Sequence, residues 1–154
     1  MRTKTCFFIG HRDAPDVLCP LLSDAVERHI IEYGVTEFIV GHYGRFDAMA
    51  ASAVRKAKER HPEVTLTLLI PYYPPTCDTS DYDCTYYPEG MENVPRPFAI
   101  VKANEHMIRH CSFLICYSCD YIGNTRRLVE YAKSCEKRGN LKVENLADLN
   151  AVYF

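Results

Sequence analysis

Short apolar runs alternate with amphipathic stretches along almost the whole chain, and that alternation leaves few folds open. Residues 5–9 read as a first strand. A helix over 18–33 follows, with Leu18, Leu22, Ala25, Val26, His29 and Ile30 at helical spacing and Gly34 as its stop. Strands are expected at 37–40, 64–70, 113–117 and 141–144, and helices at 47–60, 98–110 and 124–138. Strand-helix alternation of this kind gives a doubly wound α/β fold, a mainly parallel sheet of about five strands with helices on both faces. Such sheets bind ligands beyond the carboxyl ends of their strands, where the strand order reverses. The segments that follow strands are therefore where function is sought.

The chain has 154 residues, a length expected to form one domain over 1–154. Hydrophobic residues make up 47% and charged residues 25%, as in ordinary globular proteins. The net charge of -2 supplies no basic stripe to neutralise phosphates, which disfavours DNA or RNA as a partner. No apolar run approaches the roughly 18 residues of a membrane span. The apolar stretch Cys6-Phe7-Phe8-Ile9 is too brief for a signal-peptide core, so a cytoplasmic location is expected.

Most of the eight cysteines sit inside apolar runs, where a free thiol behaves as a small hydrophobe. The pair Cys116 and Cys119 has metal-ligand spacing, but no second pair stands at matching distance. A redox pair would open a helix, whereas Cys116 closes an expected strand. No metal and no cofactor is expected.

Four loops follow strands. Gly10-His11-Arg12 turns off the first, and Arg12 offers a planar fork to a phosphate or pairs with Asp13 or Asp16. After the second strand comes Gly41-His42-Tyr43-Gly44-Arg45-Phe46-Asp47. Its glycines allow close backbone approach, and the following helix N-terminus favours an anion, with Arg45 adding charge. Asp47 caps that helix or binds a ribose hydroxyl. The third loop, 71–97, holds six prolines and five tyrosines and is acidic. Loops this long are functional or disordered. Its tyrosines suit a nucleobase, the domain surface or a second subunit. The fourth runs through Asp120 to Gly123-Asn124-Thr125-Arg126 at another helix start; its arginines meet an anion or pair with Glu130.

Taken together, Gly10-His11-Arg12, the turn from Gly41 to Asp47, and Gly123-Asn124-Thr125 followed by Tyr131-Ala132 resemble the SLOG superfamily (Smf/DprA and Lonely Guy proteins), in its YpsA-like branch. Ala103-Asn104-Glu105-His106-Met107 is similar to the family's helix before the fourth strand. The resemblance spans residues 5–146. It implies a Rossmann-like fold, a nucleotide-derived ligand and a homodimer. Some members remove a base from a nucleoside monophosphate; others bind nucleotide signals or assist DNA handling. The chain departs from the pattern at His42-Tyr43, at Gly44-Arg45 and at Asn124, which points to an altered phosphate site or a different ligand. Leu128 stands where the Lonely Guy enzymes carry a glutamate, and Glu130 lies about 200° further around the helix.

The ligand-binding residues expected from these readings are Gly10, His11, Arg12, Gly41, His42, Gly44, Arg45, Asp47, Gly123, Asn124, Thr125 and Arg126. Asp47, Glu105 and Asp120 are the candidate carboxylates for an oxocarbenium-like step. The first expectation is a protein that senses or sequesters a nucleotide-derived small molecule. The alternatives are a nucleotide N-glycosidase and a partner-binding module with a vestigial pocket. The tail over 146–154 reads as a last helical turn or an extended arm.

Overall fold

The computed structural model describes residues 4–119 and 123–148. Six strands form one sheet: β1 (Thr5–Gly10), β2 (Glu37–Val40), β3 (Thr65–Leu69), β4 (Cys84–Tyr86), β5 (Phe113–Tyr117) and β6 (Lys142–Asn145). Their order is β4-β3-β2-β1-β5-β6, and every pairing is parallel. The helices are α1 (Leu18–Ile31), α2 (Arg45–Arg60), α3 (Arg96–His110) and α4 (Asn124–Lys137). This is the doubly wound α/β arrangement that the alternation requires.

Side chains along a strand point alternately to opposite faces, and β1 shows how this builds two cores. Cys6 and Phe8 pack with α1 and α2 around Leu18, Leu22, Phe38, Phe46 and Val54. Phe7 and Ile9 pack on the other face with Ala99, Ala103, Met107, Leu128 and Ala132 of α3 and α4. β1 is therefore buried on both sides and reads as a continuous apolar run. The chain changes faces between β1 and β5, and this places the strand-order reversal beside β1.

Three features differ from the sequence expectation. The sheet has six strands rather than about five. The extra strand, Cys84–Tyr86, lies inside the proline- and tyrosine-rich segment and pairs with Thr67 to Leu69 of β3. All three of its residues are exposed, so it carries no hydrophobic alternation to reveal it. Helix α3 starts at Arg96 instead of 98, with Pro95 as its N-cap. Prolines are tolerated there because first-turn N–H groups have no helical partner. Helix α2 starts at Arg45 instead of 47, and Gly44 is its N-cap. Of the tail, Leu146 is fully buried in the α1–α2 core, while residues 149–154 lie outside the described part. No helix among the described residues is long and apolar enough to cross a membrane.

Candidate functional site

Two close approaches bring the loops after β1 and β2 together. A Cβ on Gly10 would stand 2.2 Å from Cγ of Phe46, whose ring is fully buried. A Cβ on Gly44 would stand 2.6 Å from the Arg12 Cα. Both positions therefore exclude a side chain. The backbone N–H of Arg45 also donates to the Arg12 carbonyl at 2.9 Å. The first and second loops are thus fixed to each other at the carboxyl edge of the sheet.

Beside this junction lies a cavity of about 140 Å³. Its floor is Phe8, Ile9 and Gly10 of β1, with Gly41 and Leu69 from the ends of β2 and β3. Arg12, Tyr43 and Asp47 form one wall. Ile100, Val101, Ala103 and Asn104 of α3 form another, and Asn124, Thr125 and Leu128 of α4 close it. Gly123 is the N-cap of α4, so the first N–H groups of that helix sit where Asn124 and Thr125 reach the cavity.

Asp47 is the carboxylate in this wall. It stands in the first turn of α2, and its Oδ2 accepts a hydrogen bond from the Tyr43 N–H at 3.0 Å. Burial pushes its carboxyl up to about 6, and the Tyr43 N–H opposes part of that rise. It thus serves as a helix-terminus acceptor and also faces the cavity. Burial raises the Tyr43 phenol, as does its hydrogen bond with the Tyr72 hydroxyl. That bond in turn lowers Tyr72, which also lies under the Arg96 guanidinium at 4.1 Å. A chain from Tyr43 through Tyr72 to Arg96 ties the start of the 71–97 segment to the first turn of α3.

Six of the residues singled out in the sequence converge on the cavity: Gly10, Arg12, Gly41, Asp47, Asn124 and Thr125. The others are placed elsewhere or border it from outside. His11 is buried, accepts the Cys119 N–H at 3.0 Å and meets the Tyr117 ring edge-on. His42 is exposed and lines a small recess with Pro75, Thr76 and Cys77. Gly44 and Gly123 are the N-caps of α2 and α4. Arg45 pairs with Asp16, donates to the Ala14 carbonyl at 3.2 Å and borders a separate hollow between α1 and α2. Arg126 pairs with Glu130 at 2.8 Å. Glu105 lies 3.8 Å from Lys102 and lines a neighbouring groove. Asp120 lies outside the described residues.

Sequence reasoning did not select Tyr43, Asn104, Leu128 or the apolar wall of α3 as ligand contacts. Position one residue before an N-cap glycine was the available signal for Tyr43. The α3 wall carries no such signal, because a helix's facing is decided by packing. Among the described residues, no three His, Cys, Asp or Glu side chains converge to hold a metal ion.

No family model matches the chain, and no curated protein matches it. Two solved structures of the Moco carrier protein from Chlamydomonas reinhardtii are similar to it in fold. One is 13% identical with a TM-score of 0.53, covering 99% of this chain and 96% of that one. The other is 9% identical with a TM-score of 0.48, covering 92% and 89%. The likeness, read with the six-stranded parallel sheet, establishes a Rossmann-like α/β fold for this chain.

Proposed function

We propose that this protein binds a nucleotide or nucleotide-derived small molecule at the carboxyl edge of its sheet and holds it unchanged, as a sensor or sequestering protein of the SLOG type. The observation that carries this reading is the convergence of Arg12, Asp47, Asn124 and Thr125, from three separate loops, on one cavity at the strand-order reversal. A phosphate is matched by the Arg12 fork, the Thr125 hydroxyl and the N–H groups opening α4. The Asp47 carboxylate matches a hydroxyl or ring N–H donor on the same molecule. The similar fold of a protein named as a molybdenum cofactor carrier supports binding and holding of a small molecule. Of the residues first expected, those bordering the cavity are proposed as contacts; His11, Gly44 and Gly123 are proposed to shape the loops.

The position of Asp47 also favours a second reading, nucleotide N-glycosidase. A carboxyl raised by burial and facing a cavity suits an oxocarbenium-like transition state. One experiment separates the two. The purified chain is incubated with nucleoside monophosphates, cyclic nucleotides and ADP-ribose, and thermal shift and products are both read. A ligand at a hundredfold excess over its dissociation constant adds about 2.7 kcal/mol of apparent stability. A shift with intact ligand is expected. Release of free base, lost in Asp47→Asn, would establish the enzyme instead. No shift with any compound would overturn both.

A further inference from the structure

We infer that His106, His110 and Tyr86 form a binding site for a divalent cation of the kind imidazole prefers, zinc foremost, where the last turn of α3 meets β4. The site lies apart from the edge cavity and does not rest on the function proposed above.

The two histidines stand four residues apart at the end of α3. Residues at that spacing share one face of a helix, and a histidine pair so placed is a chelating arrangement for zinc. Their rings stack with centroids 4.1 Å apart and 23° between the planes. The His110 Nδ1 lies 2.7 Å from the His106 carbonyl. A carbonyl only accepts, so this nitrogen carries the hydrogen and the Nε2 of the neutral ring keeps its lone pair for a cation. A backbone carbonyl on the far nitrogen is also a usual means of orienting a metal-bound imidazole.

The third ligand comes from β4. The Tyr86 hydroxyl lies 2.8 Å from the His106 Nε2. Two ligand atoms on metal bonds of about 2.0–2.1 Å, meeting at a right angle, stand about 2.9 Å apart. The phenol oxygen and the imidazole nitrogen thus already have the spacing of neighbouring corners of a coordination sphere. When the cation binds both atoms, the proton between them passes to solvent. Tyr86 and His110 line one hollow of about 240 Å³ with Glu37, Thr67 and Cys84, which leaves room for water to complete the coordination. The Glu37 carboxylate, held by the Thr67 hydroxyl at 2.9 Å, adds negative charge to the same wall. Thr5 and Glu37 open β1 and β2, so this hollow lies toward the amino ends of the strands and shares no lining residue with the edge cavity. No third His, Cys, Asp or Glu joins the pair among the described residues, and the third protein ligand is the phenol.

Calorimetric titration of the full chain, stripped with EDTA, tests this with zinc alone as the probe. One equivalent is expected to bind. His106→Ala and His110→Ala are each expected to weaken it at least tenfold, Tyr86→Phe several-fold, and Cys84→Ser not at all. All four side chains are exposed or half-buried, and circular dichroism checks that each variant folds. Imidazole nitrogen NMR gives a second reading on the unaltered chain, where zinc is expected to shift the Nε2 signals of two of the six histidines. Absence of saturable binding, an affinity unchanged in the histidine or tyrosine variants, or a loss confined to Cys84→Ser would overturn the site.

Discussion

The Arg12 Cα occupies the space that any side chain at Gly44 would need, 2.6 Å from an ideal Cβ. The helix N-cap and the cavity arginine are thereby fixed in one geometry. Gly44→Ala is expected to push the Arg12 backbone away, at about 1–3 kcal/mol of stability, the range for overpacked sites. Urea unfolding measures the loss. Because Arg12 lines the cavity, affinity for a bound nucleotide should fall with it, and a variant of unchanged stability and affinity would refute the coupling.

Arg12→Ala isolates the side chain from that backbone effect. Its guanidinium has no partner among the described residues, so removal should change stability by less than about 0.5 kcal/mol. Binding of a phosphorylated ligand should weaken by about 10- to 100-fold, as for a lost charge-assisted hydrogen bond. Arg45→Ala should leave affinity intact, since Arg45 is engaged with Asp16 and the Ala14 carbonyl. The reverse result in calorimetry would move the phosphate to the α2 terminus.

Asp47 makes stability depend on pH in a direction opposite to most carboxylates. Its carboxyl is raised to about 6 from an ordinary 3.8. Between those values the folded state holds a proton that the unfolded chain has lost, so stability falls as pH rises through the window. Above pH 6 the full cost is present, on the order of 3 kcal/mol as an upper figure. Asp47→Asn keeps an acceptor for the Tyr43 N–H and removes the charge. It should be more stable than the parent at pH 7 and differ little near pH 4. Denaturation curves at the two pH values decide this.

The thiols should divide by position. Burial pushes Cys111 and Cys116 up to about 12 and Cys6 well above its usual value. Cys19, Cys84 and Cys119 are exposed. Iodoacetamide at pH 7.5 should therefore modify those three in the folded chain and spare Cys6, Cys111 and Cys116 until urea is added. Mass spectrometry of the digest locates the labels, and early modification of Cys116 would contradict the packing around β5.

Much of the fold was legible because it follows from period. β1 is apolar throughout since both faces are covered, and α1 shows its buried stripe at helical spacing. β4 was not legible. Three exposed residues gain their strand form from pairing with β3, a contact distant in sequence. The site divides in the same way. Gly10, Arg12, Gly41, Asp47, Asn124 and Thr125 could be picked out because strand-to-helix loops share one edge. The placement of Arg45 could not, because its partner Asp16 belongs to the loop after β1, distant in sequence, and had been read as a partner of Arg12. Asn104 and Leu128 owe their place to helix orientation, which no local pattern encodes.

The small exposed strand β4 has a consequence for how this protein can change. It clasps the long segment after β3 near its middle, and Asp83 fastens the same point through Lys58 and the Leu66 N–H. The residues before the clasp form an arm whose start stacks on α3 through Tyr72 and Arg96, and those after it run through the short turn Met91–Asn93 into α3. Substitutions at Pro75, Thr76 or Cys77 can reshape the recess beside His42 and Tyr43 while the sheet and α3 keep their register. The clasp separates the stretch of chain free to drift toward a new ligand from the stretch that must stay as it is.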